Sequence, residues 1–104
     1  MEFFTEPRGY EKTLLSDLQG AWGVLRQTVA DHAGFEGWNR VLFHIDEAMS
    51  WETVRHLERM DPLVVLIRNL ALQGDAPAEV IESITEIAEI LKEVHHALQR
   101  GEPL

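Results

Sequence analysis

Apolar residues recur along this chain at steps of three and four, and in the stretch DPLVVLIRNLALQG, Asp61 to Gly74, they fill most positions. Asp61 as N-cap, Pro62 at the first helical position and Gly74 just past the end frame a helix over 62–73, about 18 Å long at ~1.5 Å per residue. At ~100° per residue, Leu63, Val64, Val65, Leu66, Ile67, Leu70, Ala71 and Leu72 point nearly all the way round. Only Arg68, Asn69 and Gln73 leave a polar edge. A helix apolar on almost every side belongs in the interior, so 62–73 is expected at the centre of the fold. The rival is a buried strand through Leu63 to Ile67, which two valines and an isoleucine favour. The apolar run continues through Leu70 to Leu72 and no partner strand is evident, which favours the helix.

The pattern predicts helices on both sides of this one. From about Tyr10 to Ala33, Leu14, Leu15, Leu18, Ala21, Trp22, Leu25 and Val29 form one apolar arc, and Gly34 is read as the stop. Gly20 and Gly23 fall on the opposite side of that helix, each costing about 1 kcal/mol against alanine unless a close helix contact uses them. Over Glu36 to Met49 a second arc carries Trp38, Val41, Leu42, Ile45, Ala48 and Met49. Beyond it Trp51, Val54, Leu57 and Met60 point almost the opposite way, so one straight helix cannot bury both arcs. Ser50 is therefore read as the N-cap of a new helix, and the pairs Met49/Val54 and Met60/Val65 as hydrophobic staples at two tight corners. Pro77 opens the final helix, 77–100, before Gly101 and Pro103 end it.

In that helix Val80, Ile81, Ile84, Ile87, Ala88, Ile90, Leu91, Val94, Ala97 and Leu98 cover nearly half the circumference, more than one neighbour needs. Glu79, Glu82, Glu86, Glu89 and Glu93 recur opposite them as an acidic stripe about 20 Å long. Residues 1–9, with Phe3 and Phe4 ahead of Pro7 and Gly9, read as an extended arm that docks on the helices or on a second subunit. The expected fold is all-α, one domain over 1–104, a compact array of about five helices with 62–73 in the middle.

Composition narrows what such a fold does. Eighteen acidic against nine basic residues give a net charge of -9, and the bases are scattered, so direct binding to nucleic acid or to a membrane surface is not expected. There is no cysteine, which removes disulfides, thiolate catalysis and cysteine metal sites. No leader pattern and no long apolar run appear, which points to a soluble, cytoplasmic protein.

Candidate chemistry is sparse. Glu93 and His96 make one Glu-x-x-His step, the spacing of carboxylate-bridged metal bundles, but no second copy accompanies it, so no metal and no cofactor are expected. Glu52 and His56, one turn apart, read as a surface pair. Ser16, Ser50 and Ser83 lie in no nucleophile elbow, and no phosphate-binding glycine loop occurs. A helix-turn-helix over 51–73 would offer leucine and valine to the groove instead of polar side chains.

These exclusions leave a small acidic regulator, not an enzyme, that binds another protein. In size and charge alone it resembles helical inhibitors, anti-activators, antitoxins and immunity proteins, a likeness that assigns no residues. Phe43, on the polar side of its helix, is the clearest partner contact. The alternative is a nucleic-acid-mimicking decoy that blocks a basic protein with Glu79, Glu82, Glu86, Glu89 and Glu93. Self-association is also expected, as a homodimer through Ile84, Ile87, Leu91 and Val94 with the Phe3-Phe4 arm crossing over.

Overall fold

The computed structural model describes residues 13–54 and 56–102. Four helices follow one another, α1 (Leu14–Asp31), α2 (Trp38–Thr53), α3 (Met60–Gln73) and α4 (Ala78–Gln99), with one 3-10 turn over Leu57–Arg59. Helix α1 packs on α2 and α4, and α3 packs on the same two, while the backbones of the diagonal pairs stay apart. The helices therefore form a closed ring around one core, and short connections between packed neighbours make consecutive helices antiparallel. The expected arm with Phe3 and Phe4 lies outside the described residues.

Helix α1 starts where a capping box forms. Thr13 Oγ1 accepts the Ser16 N–H at 3.1 Å, and Ser16 Oγ accepts the Thr13 N–H at 3.0 Å. Its arc Leu18, Ala21, Trp22, Leu25 and Val29 is buried, as the periodicity predicts. The helix stops at Asp31, and His32 caps it by placing its backbone N–H on Thr28 and Val29 carbonyls. Gly34, read as the stop, instead bends the following loop with φ of 120°.

Ser50 does not start a helix. Its hydroxyl donates to the Asp46 carbonyl at 3.1 Å, and α2 runs on to Thr53. The buried row is Val41, Ile45, Ala48 and Glu52, a three-four rhythm in which a glutamate takes the last core place. The break forced by the reversed arc falls later, across Val54 and the 3-10 turn, so the described residues form four helices and not five. Val54 and Val65 are both exposed, which removes both proposed staples.

Helix α3 begins at Met60, so Asp61 lies inside its first turn and is not the cap. Pro62 is tolerated there because the first N–H groups of a helix have no intrahelical acceptor. Met60, Val64, Ile67, Leu70 and Ala71 face the core. Val65, Leu66 and Leu72 do not, being 59%, 37% and 52% exposed. The helix expected at the centre is one corner of the ring, and its outer face is apolar against water.

The wide apolar face of α4 is closed from within the chain. Val80, Ile84, Ile87, Leu91, Val94 and Ala97 are buried between α1 and α3. Ile84, Ile87, Leu91 and Val94, expected at a dimer interface, are therefore interior side chains, and a second copy would have no access to them. Pro77 sits just before the first turn and not in it. Gly74, expected to supply a left-handed residue, has φ of -89°; the left-handed residue is Asp75, with φ of 55°. Gly74 is needed for another reason, since a Cβ there would collide with the Glu36 carbonyl oxygen where the α1–α2 loop meets the α3–α4 loop.

Candidate functional site

Two opposed faces of the ring carry what the sequence singled out. On α2, Phe43, Glu47 and Trp51 follow at four-residue steps and so stand one above the next on one ridge. Trp51 and Glu47 form one wall of a groove of about 340 Å³, and Pro62, Leu63 and Leu66 of α3 form the other, with Glu58 and Arg59 at its end. The Arg59 guanidinium lies over the Trp51 ring, 4.7 Å from its centroid, and the His56 ring meets the same indole edge-on at 5.3 Å. Phe43, two turns up the ridge, is 67% exposed and touches the His44 ring edge-on, while His44 Nδ1 lies 3.0 Å from Glu47 Oε1. Tryptophan and arginine are among the side chains enriched as interface anchors, and phenylalanine is enriched across interfaces generally.

The other face belongs to α4 and α1. Glu79, Glu82, Glu86, Glu89 and Glu93 are all exposed, and among the described residues none of them forms an ion pair. Each is a helical neighbour of the next, so four like-charged contacts at three- and four-residue spacing oppose the helix by about 0.2–0.5 kcal/mol apiece at low salt. Beside the stripe a groove of about 440 Å³ runs between α1 and α4, lined by Ser16, Asp17, Gly20, Ala21, Val24, Glu86 and Ile90. Val24 is 57% exposed there, and among the described residues a Cβ built at Gly20 or Gly23 would meet nothing within 4 Å. No close helix contact uses those glycines. The structure thus separates the candidate contacts: Phe43 and the glutamate stripe sit on the exposed sides of diagonal helices, across the core from each other.

A third groove, about 430 Å³ between α3 and α4, holds the one cross-helix contact involving a histidine among the described residues. His95 Nε2 lies 2.9 and 3.1 Å from the two carboxylate oxygens of Asp61. Val64, Val65, Ala88 and Leu91 floor this groove, and Lys92, His96 and Gln99 rim it. A carboxylate-imidazole dyad activates a nucleophile only when one is within reach of the imidazole. No serine lines this groove; Ser16 is committed to the α1 cap and Ser50 to the Asp46 carbonyl. Among the described residues no three His, Asp or Glu side chains converge in a way that would hold a metal ion, and none of the helices is long and apolar enough to cross a membrane.

Surface ion pairs tie local elements together. Arg26 Nε donates to Asp46 at 2.7 Å, which joins α1 to α2 and raises the guanidinium pKa above its ordinary value. Arg100 forks onto Glu102 at 2.8 and 3.0 Å just past α4. That hydrogen bonding raises the Arg100 pKa and holds the Glu102 carboxyl below its ordinary range.

Two features escaped the sequence reading. Glu52 and His56 do not form the surface pair their spacing predicts, since Glu52 is buried and His56 lies beyond the helix against Trp51. The signal was present in the spacing 41, 45, 48, 52, which continues the core row past Ser50. Asp61 and His95 had no such signal, because 34 residues separate them and only helix pairing brings them together. Comparison with protein families, with curated proteins and with solved structures finds no match to this chain.

Proposed function

We propose that this chain is a small acidic regulator, not an enzyme, that acts by binding another protein through its α2–α3 face. The observation that supports this most is the exposed aromatic Phe43 in line with Trp51, beside an α3 whose Leu66 also faces water. Aromatic side chains and arginine are enriched at protein interfaces, and this ridge carries both at its surface. Capture from the native host tests the reading. Full chain carrying Phe43→Ala with Leu66→Asp should keep its helicity and lose the partner that the parent chain retains. Undiminished capture by that variant would remove this face from the function.

The second reading is the decoy, in which Glu79, Glu82, Glu86, Glu89 and Glu93 occupy the site of a basic nucleic-acid-binding protein. Their exposure supports it. Their spacing opposes it, since one carboxylate per ~5 Å of helix is sparser than one charge per ~1.7 Å of duplex DNA. Competition between the chain and DNA for a captured partner, lost in the Glu82→Gln, Glu86→Gln, Glu89→Gln triple variant, would favour the decoy. Self-association has no surface at Ile84, Ile87, Leu91 and Val94, which are buried in one chain.

A further inference from the structure

We infer that the groove between α1 and α4 is a docking site for one basic amphipathic helix of a partner protein. The floor and the rims of the groove each specify part of this occupant. Ala21, Val24 and Ile90 make an apolar floor, and among the described residues no side chain lies within 4 Å of a Cβ built at Gly20. A partner must therefore bring an apolar stripe. Glu86, continued by Glu79, Glu82, Glu89 and Glu93, makes the α4 rim acidic along its length, and Asp17 adds one carboxylate at the start of the α1 rim. The flanks of that stripe must then carry lysine or arginine. Arg26 is the base that α1 holds out from this part of the chain, and it is engaged with Asp46 on the α2 side. Arg100, at the far end of the stripe, is engaged with Glu102.

Repeat length identifies the occupant as a helix. The glutamates recur once per helical turn, about every 5 Å, over some 20 Å. A helix laid alongside repeats its own bases at the same interval, so every turn can place a base against an acid while its apolar stripe enters the groove. An extended strand repeats its side chains on one face every ~7 Å and falls out of register within a few residues. The inference stands apart from the α2–α3 reading, because it uses the opposite side of the ring.

The test uses the full chain and two labelled peptides of about 18 leucines and lysines, equal in composition, one patterned with helical period and one in strict alternation. At low salt the helical peptide should bind about tenfold tighter than the alternating one. Glu82→Gln, Glu86→Gln, Glu89→Gln should weaken it about tenfold, and Val24→Gln about threefold, with helicity unchanged in both. Phe43→Ala with Leu66→Asp should leave it unaffected. Equal affinity for the two peptides, or indifference to Val24→Gln, would reduce the effect to charge attraction and overturn the inference. Loss of binding in the Phe43/Leu66 variant alone would place the peptide on the other face and overturn it as well, while leaving the α2–α3 reading intact.

Discussion

The α2–α3 face and the α1–α4 face are built from similar amphipathic helices, yet they hold their side chains in opposite ways. On the first, the groove is lined by bulky side chains that already touch one another: Trp51 carries Arg59 and His56, and Leu63 packs on the core beneath. On the second, glycines leave the groove open and the carboxylates stand apart without ion-pair partners among the described residues. One face is ordered by contacts within the chain; the other carries unpaired charge among the described residues. Preorganised apolar contact governs how long a complex lasts, whereas unpaired charge governs how fast it forms and how strongly salt weakens it.

The comparison breaks most completely if the core behind both faces is removed. Ile84→Asp or Leu91→Asp buries a carboxylate between α1 and α3, and each should cost more than about 4 kcal/mol, enough to unfold the chain in a urea titration. A folded variant that sediments at half the mass of the parent would instead restore those residues to a dimer interface. Leu66→Asp, at an exposed apolar position, should change stability by no more than about 0.5 kcal/mol. Gly74→Ala comes next: the loops that join the helices at one end of the ring meet at Glu36, and displacing that carbonyl should cost about 1–3 kcal/mol.

Smaller effects separate the two faces from each other. Gly20→Ala should stabilise α1 by about 1 kcal/mol, because the added methyl meets no neighbour, and it should at the same time narrow the α1–α4 groove. Thermal melts that show a loss instead would mean that the groove is filled. The Glu82→Gln, Glu86→Gln, Glu89→Gln variant should melt higher than the parent at low salt, by no more than about 1–2 kcal/mol in all, and the gain should vanish in molar salt. A gain that survives high salt would not be electrostatic. The smallest effect is at Glu102. Its folded pKa is lowered by Arg100, so the pair favours the folded state above the ordinary carboxylate range and that contribution disappears as pH falls through the folded value. Carboxyl chemical shifts followed by NMR should place the Glu102 midpoint below the ordinary range and return it there in Arg100→Gln.

Helix existence was legible in the sequence, and so was most of the core. The arcs of α1 and α4 needed only periodicity, because each is a long helix with one polar side, and the burial of Leu18, Trp22, Leu25, Ile84, Ile87 and Leu91 follows from it. The helix boundaries were less legible at Ser50 and Asp61. Both residues are good caps in isolation, but Ser50 found a carbonyl one turn back and Asp61 found His95 across the bundle. A capping side chain is claimed by whichever partner it reaches, and the partner of Asp61 lies 34 residues away.

Composition and period by themselves determined an all-helical chain, its charge, and which side of each long helix is apolar, since these depend only on residue identity and the geometry of one helix. The arrangement of helices around the core was decided by tertiary structure. Helix α3 has apolar residues on nearly all sides, and such a pattern states that every side is compatible with burial without saying which neighbours will come. Only the packing of α2 and α4 against it, with α1 on the far side, chose the side carrying Val64, Ile67 and Ala71 as the interior and left Val65, Leu66 and Leu72 outside. The same packing enclosed Ile84, Ile87, Leu91 and Val94 and set Phe43 across the core from the glutamate stripe. Those are relations between helices, and no single helix encodes them.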